Sequence, residues 1–239
     1  MCTISFLPTR HGFLLAMNRD EQVSRPRALA PRRHWTGTRA SLYPSEAGGG
    51  TWVGVSDVGL SLALVNWYAK PQRDRALCVS RGIIIPHLLA AEGLAELAAM
   101  FADLPLANIN PFRLIAVSAK ERQLREWRWD GKRLTSSRFG WTRRHWFSSG
   151  YDEALTNKMR AAVARTFAKW TPAGLRKLHQ SHLPDEGPFS FCMHRKDART
   201  VSYTEIVAAK SGAVMRYAAG SPCSGKPGAA RPLPFAGRA

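Results

Sequence analysis

The sequence predicts an α+β fold in which largely antiparallel sheets are covered by segregated helices. Short apolar stretches occur in pairs joined by connectors with Gly or Pro, a pattern typical of β-hairpins. Helical spacing of apolar residues is confined to two blocks, 83–104 and 152–179, and strand patterns lie before, between and after these blocks. A parallel α/β fold would instead alternate single strands with single helices.

The N-terminal part of the chain contains two predicted hairpins. The first pairs residues 3–7 with 13–17, and the second pairs 51–55 with 60–67. The stretch 60–67 is almost continuously apolar, so we expect both of its faces to be covered. Residues 24–44 contain three prolines and many arginines without a sustained period, which predicts an irregular surface loop between the hairpins.

The rest of the chain predicts helices alternating with groups of strands. The block 83–104 predicts two helices, with Pro86 in a first turn and Gly93 at the break. A longer helix is predicted at 152–170 with Asp152 as its N-cap, and a short one follows at 172–179. The predicted strands are 112–118, 123–129, 132–136, 189–194, 200–207 and 213–217. Residues 1–220 are therefore expected to form one domain, and the Ser-, Pro- and Gly-rich residues 221–239 a flexible tail.

The composition narrows the function classes. The formal charge of +18, from 35 basic and 17 acidic residues, predicts a surface that attracts anionic small molecules. The basic residues are spread along the chain without a nucleic-acid-binding motif, so we do not expect a nucleic-acid partner. No run of 18 apolar residues and no secretory pattern occurs, which predicts no transmembrane segment. Four cysteines without Cys-x-x-Cys spacing indicate reduced thiols in the cytoplasm. The sequence does not indicate an oligomeric state.

A cysteine stands at position 2 of the opening MCTISFLPTRHGFLLAMNRDE. Methionine aminopeptidases remove Met1 when the second residue is small, and this would leave Cys2 with both a thiol and a free α-amine. Their ordinary pKa values, about 8.5 and about 7.7–8.0, lie near neutral pH. One residue would thus supply the nucleophile and the base of an acyl transfer. The alternative is a buried structural cysteine beside a solvated, charged strand end.

The tetrad Asn18-Arg19-Asp20-Glu21 ends the second predicted strand, which the hairpin returns beside Cys2. An N-terminal nucleophile needs a charged group that orients its amine and donors that bind the oxyanion. Strand alternation places Asn18 and Asp20 on one face and Arg19 on the other. The tetrad therefore offers candidate groups for the amine, although a regular strand brings only one of these two sets to the thiol.

Seven segments occur in order over most of positions 1–207: MCTI, NRDE, RPRALAP, GGGTWVGVSDVGLSLALVNW, SRG, NPF and CMHR followed by ARTVSYTE. Together they resemble the NRDE-motif family, also called the Transport and Golgi organisation 2 family. The resemblance implies the fold of the N-terminal-nucleophile (Ntn) hydrolases, a four-layer αββα sandwich of antiparallel sheets. Among the Ntn hydrolases, the resemblance implies the greatest similarity to the branch that contains bile-salt hydrolases and penicillin acylases.

The resemblance also implies that Cys2 is the nucleophile. Bile-salt hydrolases carry Arg-Asn-x-Asp after their second strand, so an ungapped match places Asn18 and Glu21 at the charged positions. A slip of one residue places Arg19 and Asp20 there instead. We favour Arg19 and Asp20 as the catalytic pair, because the chemistry requires two opposite charges.

Asn66 and four candidate substrate-binding residues complete the predicted site. Asn66 ends the apolar strand, where its amide could bind the oxyanion or could cap the strand end. The candidate substrate-binding residues are Asn18, Glu21, Trp52 and Trp67. Cys192 and His194 alternate on one predicted strand, but two ligands without a third predict no metal site.

These observations predict an Ntn-type hydrolase or acyltransferase that acts on a linear amide or thioester and needs no cofactor. The family resemblance implies an alternative of a different class, because eukaryotic relatives are linked to haem trafficking and to lipid or acyl-coenzyme A metabolism. In that case the protein would be a non-enzymatic carrier, and its basic surface would suit haem propionates or the phosphates of coenzyme A.

Overall fold

The computed structural model describes residues 2–167, 170–225 and 228–236. Within these residues, thirteen strands form two antiparallel sheets, and four α-helices cover the outer faces. The strands are β1 (Cys2–Thr9), β2 (Gly12–Gln22), β3 (Leu29–Thr36), β4 (Arg39–Ser45), β5 (Val53–Ser56), β6 (Leu60–Asn66), β7 (Phe112–Ser118), β8 (Gln123–Trp129), β9 (Leu134–Phe139), β10 (Arg144–Ser148), β11 (Ala198–Ala208), β12 (Gly212–Ala219) and β13 (Arg231–Pro234). The helices are α1 (Ile84–Leu88), α2 (Leu94–Met100), α3 (Glu153–Thr166) and α4 (Pro172–Gln180).

The two sheets pack face to face and form the inner layers of a four-layer αββα sandwich. The first sheet has the strand order β10-β1-β2-β11-β12-β13, and the second runs from β3 to β9 in sequence order. Helices α3 and α4 pack on the first sheet, whereas α1 and α2 pack on the second. The predicted α+β fold class and the αββα architecture implied by the family resemblance are therefore confirmed.

Strand alternation explains how β2 builds two cores at once. Phe13, Leu15 and Met17 lie between the sheets, whereas Leu14 and Ala16 lie against α3 and α4. Because both faces of the strand are covered, its apolar residues follow one another without polar interruption. The same reasoning holds for β6 in the second sheet, as its apolar sequence predicts.

The predicted hairpins and helices are present. Pro86 lies in the first turn of α1 and Gly93 is the N-cap of α2, as the sequence predicts. The Asp152 carboxylate caps α3 by accepting a hydrogen bond from the Leu155 backbone N–H at 2.8 Å. Helix α3 was predicted to continue to 170, but it ends before Phe167, whose backbone is extended. Positions 168–169 lie outside the described residues.

The prediction of an irregular loop at 24–44 is wrong, because β3 and β4 form a hairpin at the edge of the second sheet. Most of β3 is exposed, so its side chains show no apolar alternation. The register shifts between Leu29 and Arg32, around Pro31, and proline is tolerated at such an irregular edge. Gly37 has φ 59° in the turn between the strands, a conformation that favours glycine.

Three other segments differ from the prediction. Residues 189–194 form a loop instead of a strand, since the Cys192 backbone N–H donates to Ser181 O, outside any sheet. Strand β10, which was not predicted, pairs with β1. The expected flexible tail contributes β13, which pairs with β12 and buries Leu233 in the inter-sheet core. Among the described residues, every helix is too short or too polar to cross a lipid bilayer.

Replacing Leu233 with Ala should lower the free energy of unfolding by about 2 kcal/mol, the low end for a buried leucine, because β13 is an edge strand. Denaturant unfolding measures this loss. Arg231→Ala is the matched control, since Arg231 is exposed on the same strand and should change stability by less than about 0.5 kcal/mol. Equal stability of the two variants would contradict the packing of β13.

Candidate active site

Strand pairing places Cys2 at one end of the sandwich. β1 lies between β2 and β10, so Cys2 is opposite Arg19 on one side and opposite Ser148 on the other. The Cys2 side chain lies on the inner face of the first sheet, against the inter-sheet core, and is half-buried. A cavity of about 250 Å³ begins at this point.

Both sheets contribute to the wall of this cavity. The first sheet supplies the thiol and the end of β2, and the second supplies the end of β6 together with the segment before β5. Six of the eight predicted site residues line it: Cys2, Arg19, Asp20, Glu21, Trp52 and Asn66. The cavity thus joins groups that are far apart in the sequence.

The thiol of Cys2 is held in its neutral form. Burial raises the pKa of this thiol above its ordinary value, and the Asp20 carboxylate acts in the same direction. Three influences lower the pKa without cancelling the effect of burial: the positive N-terminus, a hydrogen bond from the Asp20 backbone N–H, and the Arg19 guanidinium. Because the thiolate is the reactive form of cysteine, any nucleophilic role for Cys2 would require a base that removes the thiol proton.

Arg19 lies in a network of alternating charges at the rim of the cavity. Its Nη2 donates to Glu46 and to Glu21, the latter at 3.4 Å. Arg25 closes the network through Glu21 at 2.7 Å and Glu46 at 3.2 Å. Burial alone would raise the pKa of Glu21, but Arg25 and the other positive groups outweigh it and lower that pKa. The Arg19 guanidinium also stacks 4.2 Å above the Trp52 ring, which fixes its position.

Asp20 is held from the opposite face of the first sheet. Thr200 Oγ1 donates to Asp20 Oδ1 at 2.6 Å, and Arg160 Nη2 lies 3.4 Å from Asp20 Oδ2. Both side chains of the Asp20–Arg160 pair are fully buried. Arg160 also donates to Thr3 Oγ1 at 2.5 Å. The alternation predicted for the tetrad is therefore present: Arg19 lies between the sheets and Asp20 lies towards the helices.

Asn66 projects its amide into the cavity from the end of β6. Its Nδ2 donates to Tyr68 Oη at 2.7 Å, and its backbone carbonyl oxygen accepts a hydrogen bond from Ser148 Oγ. Burial alone would raise the pKa of Tyr68, but the positive N-terminus, the Asn66 bond and Arg81 lower it on balance. An asparagine amide has two N–H donors, so one of them can bond to Tyr68 while the other can donate to a bound ligand.

Two predicted substrate-binding residues do not line the cavity. Asn18 Nδ2 donates to the backbone oxygens of His179 and Phe191, both at 2.8 Å, on the helical side of the first sheet. Trp67 lies just beyond the end of β6, and its ring packs under Lys70. Strand alternation turns Asn18 towards the helices, and both placements indicate structural roles for these two residues.

Sequence reasoning missed several cavity residues because they come from connecting segments. Arg25, Arg81 and Asn110 lie within RPRALAP, SRG and NPF, three of the segments that carried the family resemblance. Those segments could have identified them as candidates. Glu46 and Tyr68 lie outside the quoted segments, and only the tertiary structure brings them to the cavity.

The Transport and Golgi organisation 2 family model matches residues 1–178 of the 239-residue chain. The chain belongs to this family. Its membership confirms the resemblance seen in the NRDE tetrad and the other segments. No curated protein sequence matches the chain at a significant level.

Solved structures show what fold this member of the Transport and Golgi organisation 2 family adopts. Penicillin V acylase from Agrobacterium tumefaciens is 12% identical, with a TM-score of 0.54 over 92% of this chain and 83% of that chain. The C2A mutant of conjugated bile acid hydrolase from Clostridium perfringens is also 12% identical, with a TM-score of 0.55 over 92% and 89%. At 12% identity the similarity concerns the fold alone, and this fold is that of the Ntn hydrolases.

Replacing Arg160 with Met should lower the free energy of unfolding by about 3–5 kcal/mol, because Asp20 would lose its buried cationic partner. Thermal or denaturant unfolding measures the effect. Arg165→Met is the matched control, since Arg165 is exposed on the same helix. A loss below about 1 kcal/mol would show that the pair does not hold Asp20 in place.

The rate at which iodoacetamide alkylates Cys2 should increase with pH. This rate should become constant at a higher pH than the rate for free N-acetylcysteine. The reason is that burial raises the pKa of the thiol, so the thiolate forms only above the ordinary range. Mass spectrometry of the Cys2 peptide over a pH series measures the rate. A plateau already reached at neutral pH would indicate a stable thiolate and contradict this prediction.

Proposed function

We propose that this protein is an Ntn-type hydrolase or acyltransferase that acts on a linear amide or thioester through Cys2. The observation that carries the proposal is the position of the Cys2 thiol at a cavity lined by Arg19, Asp20 and Asn66. The shared fold with Ntn hydrolases supports the same reaction class. Met1 lies outside the described residues, so its removal is part of the proposal.

The proposed reaction begins with attack of the Cys2 sulfur on the acyl carbon. The α-amine of Cys2 accepts the thiol proton, and the Asn66 amide and backbone N–H groups stabilise the oxyanion. The protonated amine then gives its proton to the leaving amine or thiol, and an acyl thioester remains on Cys2. Water or an acceptor nucleophile attacks this thioester and restores the thiol.

The tetrad supplies orientation in this scheme. The Asp20 backbone N–H bonds to the sulfur, and the Asp20 carboxylate is fixed by Thr200 and Arg160. Arg19 is fixed by two carboxylates and by the Trp52 ring. Fixed charges on both faces of β2 would keep the amine and thiol in one geometry. Holding reacting groups in the correct orientation accounts for much of the rate increase in enzymes.

The size and charge of the cavity limit the acyl group. A volume of about 250 Å³ lies below the range of about 300–1,000 Å³ typical of drug-sized ligands, so we infer a small acyl group. Among the described residues, three arginines and three acidic residues line the cavity, so their formal charges are equal and opposite. The large positive charge of the whole protein is therefore not repeated at the thiol, which favours an uncharged acyl portion.

An electrophilic acyl probe such as a β-lactone should label Cys2 of protein made in cells, and intact mass should show that Met1 is absent. Peptide mapping locates the acyl group, and Cys2→Ala should abolish labelling. Cys78 provides an internal control, because it is a partly exposed thiol at the same cavity that a non-selective probe would also modify. Retained Met1, or labelling of Cys78 without Cys2, would overturn the proposed mechanism.

A second candidate function is ligand carriage, and a separate cavity favours it. This cavity, of about 380 Å³, lies near the β1–β2 turn and includes the basic residues His11, Arg39, Lys120 and Lys210 beside Glu92. Such a lining suits an anionic ligand such as haem or acyl-coenzyme A. A Soret shift on haem titration that is lost in Lys120→Glu and retained in Cys2→Ala would support carriage at this cavity. Absence of any shift would count against haem.

A further inference from the structure

We propose that His182, Cys192, His194 and Cys223 form a structural zinc site. Their four ligand atoms all lie within 4.8 Å of one another, although they come from three separate segments of the chain. His182 follows α4, Cys192 and His194 lie in the loop before β11, and Cys223 lies in the turn after β12. Two thiolates and two imidazoles are one of the ligand sets that tetrahedral zinc prefers.

The distances match a coordination sphere. The sulfur atoms of Cys192 and Cys223 lie 3.5 and 3.4 Å from His194 Nε2. A tetrahedral zinc with Zn–S of about 2.3 Å and Zn–N of about 2.0–2.1 Å places sulfur and nitrogen about 3.6 Å apart. Cys192 also hydrogen-bonds with Cys223, so the two sulfur atoms and the imidazole nitrogen converge on one point.

A buried nitrogen without a partner points to the same conclusion. Among the described residues, His182 Nε2 has no hydrogen-bond partner, and it is shielded from solvent. A buried polar atom of this kind costs free energy unless it is bound. The His182 and His194 rings lie 5.1 Å apart at 89°, so a metal between the ligands would give His182 the partner that it lacks.

The surroundings orient the ligands. His194 Nδ1 faces the Glu186 carboxylate at 3.6 Å, on the side of the ring opposite the two sulfurs. Histidine ligands of zinc commonly have a carboxylate at their second nitrogen, which leaves the first nitrogen unprotonated for the metal. The backbone is also fixed, because Cys192 N donates to Ser181 O at 2.9 Å and Ser224 N donates to Ser221 O at 3.1 Å.

Four protein ligands fill a tetrahedral sphere and leave no position for substrate, so the site is structural. Both cysteines would bind as thiolates and release their protons to solvent. The metal would join the loop 181–197 to the turn after β12. Met193 N donates to Thr200 Oγ1 at 2.8 Å, and Thr200 in turn donates to Asp20, so the site would also support the tetrad.

No metal site was predicted from the sequence, because only Cys192 and His194 lie close together along the chain. His182 precedes them in a segment without a ligand motif, and Cys223 lies in the expected flexible tail. The ligand set becomes visible only when β11 and β12 bring the turn at 222–224 beside the loop. The zinc proposal does not depend on the proposed hydrolase activity.

The test measures zinc in the full-length, untagged protein purified under reducing conditions. We expect about one zinc per chain by elemental analysis, retained on dialysis, and a lower melting temperature after chelation. Cobalt substitution should give the visible absorption of a tetrahedral cobalt thiolate. Cys192→Ser and Cys223→Ser should lose the metal, whereas Cys78→Ser and His87→Gln, the matched thiol and imidazole controls, should retain it.

Three outcomes would overturn the zinc site. The first is reduced wild-type protein that takes up neither zinc nor cobalt stably. The second is a Cys192–Cys223 disulfide in freshly prepared protein without metal. The third is equal metal loss in Cys78→Ser and Cys192→Ser. Because cobalt uptake is measured on the wild-type chain, the proposal remains testable if the serine variants fail to fold.

Discussion

The pairing of β1 between β2 and β10 is the constraint on which the rest of the site depends. It sets Cys2 opposite Arg19 and directs the thiol into the space between the two sheets. The register is secured by burial, because a slip of one residue would turn Ile4 and Phe6 out of the inter-sheet core. The position of the thiol is thus a consequence of core packing, and no separate local interaction has to specify it.

A buried charge pair then fixes β2 on its helical face. Asp20 and Arg160 are both removed from solvent, where leaving either of them alone would be costly. Thr200 supplies the second contact to Asp20 and is itself bonded to the backbone of Met193. The position of the Asp20 side chain in the tetrad therefore depends on the loop that carries Cys192 and His194. A metal bound by that loop would act on the candidate active site through hydrogen bonds alone.

Whether a strand was predicted from the sequence depended mainly on the burial of its side chains. Strands with one or two buried faces, such as β2 and β6, show their pattern clearly and were predicted. Strand β3 was missed because its exposed edge position removes the apolar alternation, and β13 was missed because Leu233 is its only buried residue. For the site, Cys2 and the tetrad were found from local order, whereas Glu46 and Tyr68 reach the cavity from connecting segments whose path a sequence pattern does not specify.

The sequence by itself determined the α+β class, the family, the candidate nucleophile and the opposite orientations of Arg19 and Asp20, because periodicity and short motifs are local properties of the chain. The tertiary structure decided which side chains meet. It directed Asn18 and Trp67 away from the cavity, brought Arg160 to Asp20 and gathered four metal-binding side chains from three segments. Such contacts depend on strand order and loop path, which are fixed by burial of the whole core and not by any single stretch of residues.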